Sequence, residues 1–186
     1  SNAIKFLYKD CYVISSKLLP YVKQLIALAG YFKEHKNPSE EQKLELKKWF
    51  FYTTYNQSFQ NSSLSIVRSI FKRFEEYIKG EKCTAIDYEP IEIGEDTLNF
   101  RYASGSALSN FMILSLVSNY LSYNQNVDVT FYDPIKLKGN DPKGVMPYFT
   151  KKDLDSVLNL YDADEHFYKS YAITSNMIKN ITNKEV

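Results

Sequence analysis

One segment constrains the fold more than any other, because it holds the only tryptophan of the chain within its densest group of aromatic side chains. It runs from residue 46 to residue 59 and reads LKKWFFYTTYNQSF. Side chains spaced by three and four residues share one face of a helix, and here that face comprises Leu46, Trp49, Phe50 and Thr53. Large rings on a helix need apolar partners. We therefore expect this helix to be central, with the other elements packed around Trp49.

Length and composition favour one globular domain. The chain has 186 residues, of which 44% are hydrophobic and 24% charged. The net charge of +1 excludes the strongly basic character typical of nucleic-acid-binding domains, although a local basic patch is compatible with it. The apolar stretch 107–121 is interrupted by polar residues and is too short to span a bilayer, so we predict no membrane contact. Cys11 and Cys83 lack metal-ligand spacing, which indicates reduced thiols in a cytoplasmic protein.

The ends of the sequence suggest a piece of a longer protein. Residues 1–3, Ser-Asn-Ala, are typical of the scar that a cleaved expression tag leaves, so the fold prediction excludes them. Ile4 rather than a methionine follows. We expect residues 4–186 to form a single helical domain. Its part 4–80 is predicted to hold three helices, and its part 81–186 to hold two hairpins and the C-terminal helices.

The helix before the Trp49 segment is also predicted to be central, because apolar residues cover most of its surface. Ser15-Ser16 offers an N-cap, and Pro20 fits the first turn, where a missing N–H is harmless. Two inward rows are expected: Leu18, Val22, Ile26 and Ala29 form the first, and Tyr21, Leu25, Leu28 and Phe32 form the second. The expected solvent-facing strip comprises Lys23, Gln24, Ala27 and Glu34.

Capping signals mark the start of the Trp49 helix and both ends of a third helix. Ser39 and Gln42 fit a capping box that opens the Trp49 helix, and the short loop before it favours an antiparallel pair with the preceding helix. The Ser-Ser pair at 62–63 predicts the N-cap of a third helix that ends at Gly80. The inward face of this third helix is expected to comprise Val67, Phe71, Phe74 and Ile78.

The second half of the chain mixes two periodicities. Residues 91–102 and 127–138 alternate between apolar and polar side chains around short turns, which predicts two small β-hairpins. Helical spacing returns between them, over 104–124, and again over 151–160 and 163–181. The predicted fold is mainly α: a bundle of about five or six helices with two small β-hairpin insertions.

Three segments resemble a known protein family: LLPYVKQLIALA at 18–29, LKKWFF at 46–51, and Phe59. They are similar to the helical region that follows the N-terminal domain in GmrSD-type proteins, which are prokaryotic restriction or phage-defence proteins. The resemblance covers residues 17–61 well and the rest loosely. In that family an N-terminal ParB-like domain carries the nucleotide-dependent activity and an Asp-Gly-x-Gln-Arg motif. That motif does not occur in this sequence.

The same family often carries a C-terminal nuclease motif of the HNH class, His-His-Ile-Phe-Pro. The nearest match here is MPYFTKKDL at 146–154, where Met146 and Pro147 stand at the positions of the two histidines. Neither side chain ligates a metal ion or takes a proton, so the resemblance implies a degenerate nuclease half without a cofactor or metal site. The partners it implies are the N-terminal domain of the same protein, and DNA or another protein. No particular oligomeric state is indicated.

A weak metal-dependent nuclease is the alternative. Its centre would need carboxylates to hold the ion, and the candidate ligands and bases are Asp128, Asp133, Asp141, Lys136, Lys138 and His166. Each candidate also fits a structural role. Asp133-Pro134 is a common turn pair, and His166 among neighbouring acids fits a solvated helix start. His35 lies near a predicted helix C-terminus, where a histidine binds terminal carbonyl groups.

Basic side chains on two helices are the best candidates for contact with nucleic-acid phosphates. They are Arg68, Lys72, Arg73 and Lys79 on the third helix, with Lys47 and Lys48 on the Trp49 helix. Arg68 and Lys72 lie one turn apart on one face, and Tyr77 is near enough to stack on a base. Glu75 and Glu76 interleave with the cations, so a solvated charged face is the alternative interpretation.

Overall fold

Five α-helices and a short 3-10 helix make up the described part of the protein. The computed structural model describes residues 1–91, 103 and 105–123. The helices are α1 (Asn2–Lys9), the 3-10 helix (Ser16–Leu18), α2 (Val22–Glu34), α3 (Glu40–Tyr55), α4 (Leu64–Ile78) and α5 (Ala107–Tyr123). The prediction of a mainly α fold is confirmed. Almost all of the first predicted hairpin, the whole second hairpin and both predicted C-terminal helices lie outside the described residues, and the proposed division of the chain stays a prediction.

Helix α1 packs against α2. It begins at Asn2, and Ala3 is buried, so residues that the sequence prediction set aside belong to the first helix. Phe6 of α1 contacts Phe32 of α2, with ring centroids 5.6 Å apart. The Asn2 side chain donates to the carbonyl oxygen of Lys36, just beyond α2, at 3.3 Å. These contacts place the start of α1 beside the end of α2.

The start of α2 corrects the sequence prediction. Ser15 caps only the 3-10 helix, accepting a hydrogen bond from the Lys17 N–H, and α2 begins later, at Val22. Pro20 therefore precedes α2 instead of lying in its first turn. The physical reason is steric, because a proline disfavours the helical conformation in the residue before it. Leu19 is extended, with φ −71° and ψ 113°.

The faces of α2 also differ from the prediction. Gln24 and Ala27, which were expected on the solvent side, are buried. Val22 and Ile26, which were expected inside, are 66% and 59% exposed. The reason is that the Gln24 amide nitrogen finds hydrogen-bond acceptors on α3, which offsets part of the penalty for burying the side chain, although its Oε1 has no hydrogen-bond partner among the described residues. The face of α2 that carries Gln24 and Ala27 therefore packs against the core, and the apolar row with Val22 and Ile26 stays outside.

Helix α3 occupies the centre, as its sequence predicts. The capping box forms in full: the Gln42 N–H donates to Ser39 Oγ, and the Ser39 N–H donates to the Gln42 side chain. The predicted inward side chains Leu46, Trp49, Phe50 and Thr53 are all completely buried. The Trp49 ring lies 4.4 Å from that of Phe74 on α4 and 6.4 Å from that of Phe59.

Helices α4 and α5 both contact α3. Ser63 caps α4 by accepting from the Ile66 N–H, and Gly80 follows its end with φ +75°, a conformation that suits glycine. Phe74 is buried, and the rest of the predicted inward face packs against the core. Helix α5 packs on α3 and buries Ile113, Leu114 and Val117. None of the helices in the described ranges has the length and apolarity that a bilayer crossing requires.

Candidate functional site

The predicted phosphate-binding cations lie on α3 and α4, and the structure gives them different partners. Arg73 is only 16% exposed and binds the segment that follows α4. Its Nη2 donates to Thr84 Oγ1 at 2.9 Å, and its Nη2 and Nε lie 2.9 and 3.1 Å from one carboxylate oxygen of Asp87. A guanidinium group that binds two residues of one segment holds that segment in position. Arg73 is therefore built into the fold.

Two further cations of α4 face acidic neighbours one turn away. Lys79 Nζ lies 2.8 Å from Glu75 Oε1, and this pair raises the pKa of Lys79 and lowers the pKa of Glu75. Lys72 Nζ lies 4.0 Å from Glu76 Oε1. Exposed pairs of this kind are weak, and a phosphate group competes with them readily. The acidic residues that interleave with these cations in the sequence are therefore their partners in the structure.

The remaining three cations are arranged differently. Lys47 turns towards the end of α1, where its Nζ lies 4.6 Å from the ring centre of Tyr12. Lys48 and Arg68 are exposed and make no ion pair within residues 1–91 and 105–123. The predicted role of the six residues in nucleic-acid binding stays a prediction.

Several buried or partly buried polar side chains join one element to another. Gln24 links α2 to α3, and the Asn110 amide of α5 donates to the Lys17 carbonyl oxygen in the 3-10 helix at 3.2 Å. Glu45 of α3 accepts from the Ala85 N–H and from the Tyr88 hydroxyl, both at 2.7 Å. Sequence reasoning missed Glu45 because its partners lie about forty residues further along the chain. No local pattern signals such contacts.

His35 closes the end of α2 against the end of α4. Its Nε2 lies 2.8 Å from the Ile78 carbonyl oxygen, and Nε2 is the donor because a carbonyl can only accept. The sequence suggested contact with the last carbonyl groups of the helix that precedes His35, whereas the side chain binds a carbonyl oxygen of α4. The His35 ring stacks on Tyr31 at 4.7 Å, and Tyr31 stacks on Tyr77 at 5.9 Å. This column of rings lines a cleft of about 420 Å³ that also includes Cys83.

Burial dominates the electrostatics of that cleft. The Tyr31 hydroxyl is buried without a hydrogen bond of ordinary geometry, and burial raises its pKa, although the nearby Tyr77 hydroxyl opposes the shift. Burial also raises the pKa of Tyr77, and Tyr31 and Glu45 add to that rise. Tyrosines held in this way stay protonated well above neutral pH, so they do not act as bases there.

A second concavity lies between α3, α5 and the residues after α4. We call it the aromatic groove, and it is lined by Phe51, Tyr52, Tyr55, Tyr88 and Phe111, with Lys48. Its volume is about 290 Å³, and its walls are apolar. Tyr52 and Tyr88 meet edge to face at 5.0 Å, and Tyr55 meets Phe111 at 5.1 Å. The sequence shows the aromatic residues of α3, but only the fold brings Tyr88 and Phe111 beside them.

The alternative nuclease centre falls on residues that the structure does not describe. Asp128, Asp133, Asp141, Lys136, Lys138, His166, Met146 and Pro147 all lie beyond residue 123. Within the described ranges, no three histidine, cysteine or acidic side chains cluster in a way that could hold a metal ion. Cys11 and Cys83 are both free thiols, the first buried and the second exposed.

Comparisons of the chain with protein-family models, with curated proteins and with solved structures found no match. The resemblance to GmrSD-type proteins therefore rests on the residues themselves.

Proposed function

We propose that this chain is a non-catalytic helical region of a GmrSD-like prokaryotic restriction or defence protein, acting in the cytoplasm. Its role is to support the N-terminal domain of the same protein. The observation that carries the proposal is the outer face of α2, a row of apolar side chains that the described fold leaves uncovered. A helix with apolar residues on both sides is usually buried on both sides.

The outer row of α2 comprises Val22, Ile26 and Ala29, all of which are exposed. Val22 and Ile26 are one turn apart, so they form one continuous ridge. Burying an aliphatic side chain of this kind contributes about 1.5 to 3 kcal/mol. Two such side chains left in water provide a substantial driving force for docking, and their position in the first two turns of α2 suits contact with another helix.

Gly30 extends the same face and supports the same partner. A Cβ atom added at Gly30 would have nothing within 4 Å, so the described neighbours do not require a glycine there. Glycine inside a helix destabilises it by roughly 0.5 to 1 kcal/mol relative to alanine. A second backbone packed closely against Gly30 explains the glycine, because only glycine leaves room for such an approach.

The polar side chains of the described fold support the non-catalytic part of the proposal. Gln24, His35, Glu45 and Arg73 each bind a group on another element. A catalytic group needs a free polar atom facing a substrate, with a second group to activate it. These four side chains instead bind the backbone or the side chains of neighbouring segments. Gln24 Oε1 and Arg73 Nη1 have no hydrogen-bond partner among the described residues, but both atoms are buried.

The test measures binding of the purified chain to the N-terminal domain of its parent protein by calorimetry, with Gly30→Ala and Ile26→Gln as variants. Gly30→Ala should stabilise the chain by roughly 0.5 to 1 kcal/mol, because alanine favours a helix. The same variant should weaken binding about ten-fold or more, because a methyl group blocks close packing. A variant that gains stability but loses affinity identifies Gly30 as part of a docking surface, because a purely structural glycine would not show both effects.

Leu64→Ala is the matched control, because Leu64 is 74% exposed on α4 and lies on a different helix. It should leave the affinity for the N-terminal domain unchanged. Binding that survives both α2 variants would contradict the proposed surface, and a chain that never binds the domain would contradict the supporting role.

A further inference from the structure

The aromatic groove has apolar walls made of ring faces, and Lys48 is the charged side chain among the residues that line it. The Tyr88 hydroxyl donates to Glu45 at 2.7 Å, and the Tyr52 hydroxyl accepts from the Glu89 N–H at 3.0 Å. Both tyrosines are thereby held in place from outside the groove. Their rings meet at 87°, so an edge of one ring points at the face of the other. The hydroxyl groups face their protein partners, and the walls that a ligand would meet are apolar.

This chemistry disfavours a peptide in the groove. An extended peptide carries an N–H and a carbonyl group at every residue, and each needs a hydrogen-bond partner when it is buried. The groove walls are apolar and its lining cation, Lys48, can donate but not accept, so most of these peptide groups would stay without a partner. A nucleobase is different, because stacking covers only its flat faces while its polar edges stay in water. Fixed rings also lower the entropic cost of binding a flat ligand.

Lys48 supplies the charge that such a ligand needs. It lies on α3 among the aromatic rings, is exposed, and makes no ion pair within the described ranges. Its neighbour Lys47 is turned towards Tyr12, and Lys43 is paired with Glu40 at 2.6 Å. Lys48 is therefore the α3 cation available for a phosphate. A cation beside a platform of aromatic rings is the arrangement by which proteins bind single strands without reading their sequence.

Size points the same way. Sites for small molecules usually enclose about 300 to 1,000 Å³, and the groove, at about 290 Å³, lies just below that range. It suits one flat ring system rather than a large cofactor. A duplex keeps its bases stacked on one another and cannot place one in the groove without unpairing it.

We infer that the aromatic groove binds an unpaired base of single-stranded nucleic acid, with Lys48 contacting the adjacent phosphate. This surface is separate from the outer face of α2 and goes beyond the supporting role proposed above. It also selects, from the six cations predicted to contact nucleic acid, the one that lines the aromatic groove.

The experiment measures fluorescence anisotropy of a labelled oligodeoxythymidine of about 15 nucleotides, at roughly 50 and 200 mM salt. Phe111→Leu removes a ring but keeps an apolar side chain, and it should raise the dissociation constant about ten-fold, as expected for the loss of one stacked base. Lys48→Gln should raise it several-fold and reduce the salt slope by about 0.7, the value for one phosphate contact on a single strand. Circular dichroism verifies that both variants are folded.

Lys5→Gln is the matched control, since it removes one exposed charge from α1, is not among the six predicted contacts and lies outside the groove. It should change neither affinity nor salt slope. A loss caused by Lys72→Gln, with Lys48→Gln and Phe111→Leu silent, would assign nucleic-acid binding to α4 and overturn the inference. Tighter binding of a duplex, displacement of the oligonucleotide by a proline-rich peptide, or no binding at the lower salt concentration would also overturn it.

These outcomes are independent of the supporting role. Phe111→Leu and Lys48→Gln should leave the affinity for the N-terminal domain unchanged, whereas Gly30→Ala should leave oligonucleotide binding unchanged. Failure of one proposal therefore leaves the other intact.

Discussion

The side-chain amide of Gln24 on α2 donates to the backbone carbonyl oxygen of Phe50 on α3 at a distance of 3.0 Å. The same nitrogen lies 2.9 Å from the hydroxyl oxygens of both Thr53 and Thr54. One amide thus meets three acceptors in the centre of the fold, and all four residues are completely buried. This contact fixes which side of α2 faces α3.

Gln24→Glu should destabilise the chain more than Gln24→Leu. The glutamate has the same shape but offers only oxygens to three acceptors, and a buried charge without a partner destabilises by about 3 kcal/mol or more. Leucine removes the hydrogen bonds but leaves the threonine hydroxyls bonded to the carbonyl oxygens of Trp49 and Phe50. We expect that variant to lose less than about 1.5 kcal/mol. Urea unfolding measures both.

The pH dependence of the Gln24→Glu variant provides its control. Burial raises the pKa of a carboxyl group, so the folded state keeps a proton that the unfolded state releases near a pKa of about 4.3. The free energy of unfolding should therefore fall as the pH rises above that value. Equal losses for the two variants at every pH would contradict the donor role of Gln24.

Arg73→Gln should loosen the segment after α4 without unfolding the bundle. The guanidinium of Arg73 binds Thr84 and Asp87, and Asp87 is largely exposed, so solvent weakens that ion pair. We expect a loss of about 1 kcal/mol and faster amide exchange in residues 81–88. Hydrogen exchange measured by mass spectrometry tests this directly. Arg68→Gln, on the exposed side of the same helix, is the control and should leave exchange in that segment unchanged.

Alkaline pH should destabilise the fold through two tyrosines. Burial, and then the hydrogen bond to Glu45, raises the pKa of Tyr88. Burial, with a contribution from Tyr31, raises the pKa of Tyr77. An unfolded tyrosine ionises near a pH of about 10. Above that pH the unfolded state binds fewer protons than the folded state, so the free energy of unfolding falls as the pH rises.

Urea unfolding at pH values of about 8 and 11 measures this effect. Tyr88→Phe should show a smaller fall than the original chain, because the group that holds the extra proton is gone. Tyr8→Phe alters a tyrosine that is half exposed on α1 and is the control. An unchanged pH dependence in Tyr88→Phe would show that the Tyr88 hydroxyl is not protected by Glu45.

The two cysteines should react at different rates with a thiol reagent. Cys83 is exposed, whereas Cys11 is buried, and burial raises the pKa of the Cys11 thiol well above its ordinary value. The thiolate is the reactive form, so Cys11 should react only when the fold opens. Titration with a chromogenic disulfide should detect one thiol in the native protein and two in denaturant. Cys83→Ser should abolish the native reaction, and a rapid reaction in that variant would contradict the burial of Cys11.

Local chemistry made several elements predictable. The Ser39–Gln42 capping box, the Ser63 cap and the positive φ of Gly80 each depend on residues a few positions apart, and all three appear in the structure. The inward face of α3 was predictable for a similar reason. Its largest side chains recur at helical spacing, and the structure buries Trp49 and Phe50 completely.

The sequence by itself determined that the protein is mainly helical, with a core centred on Trp49, because periodicity and capping act within one segment. Tertiary structure alone decided the orientation of α2, since apolar residues cover both of its sides and the choice depends on acceptors that α3 offers to Gln24. It also decided the aromatic groove, which joins Tyr88 and Phe111 to residues of α3. Contacts between distant segments depend on how helices pack, and no short stretch of sequence encodes that geometry.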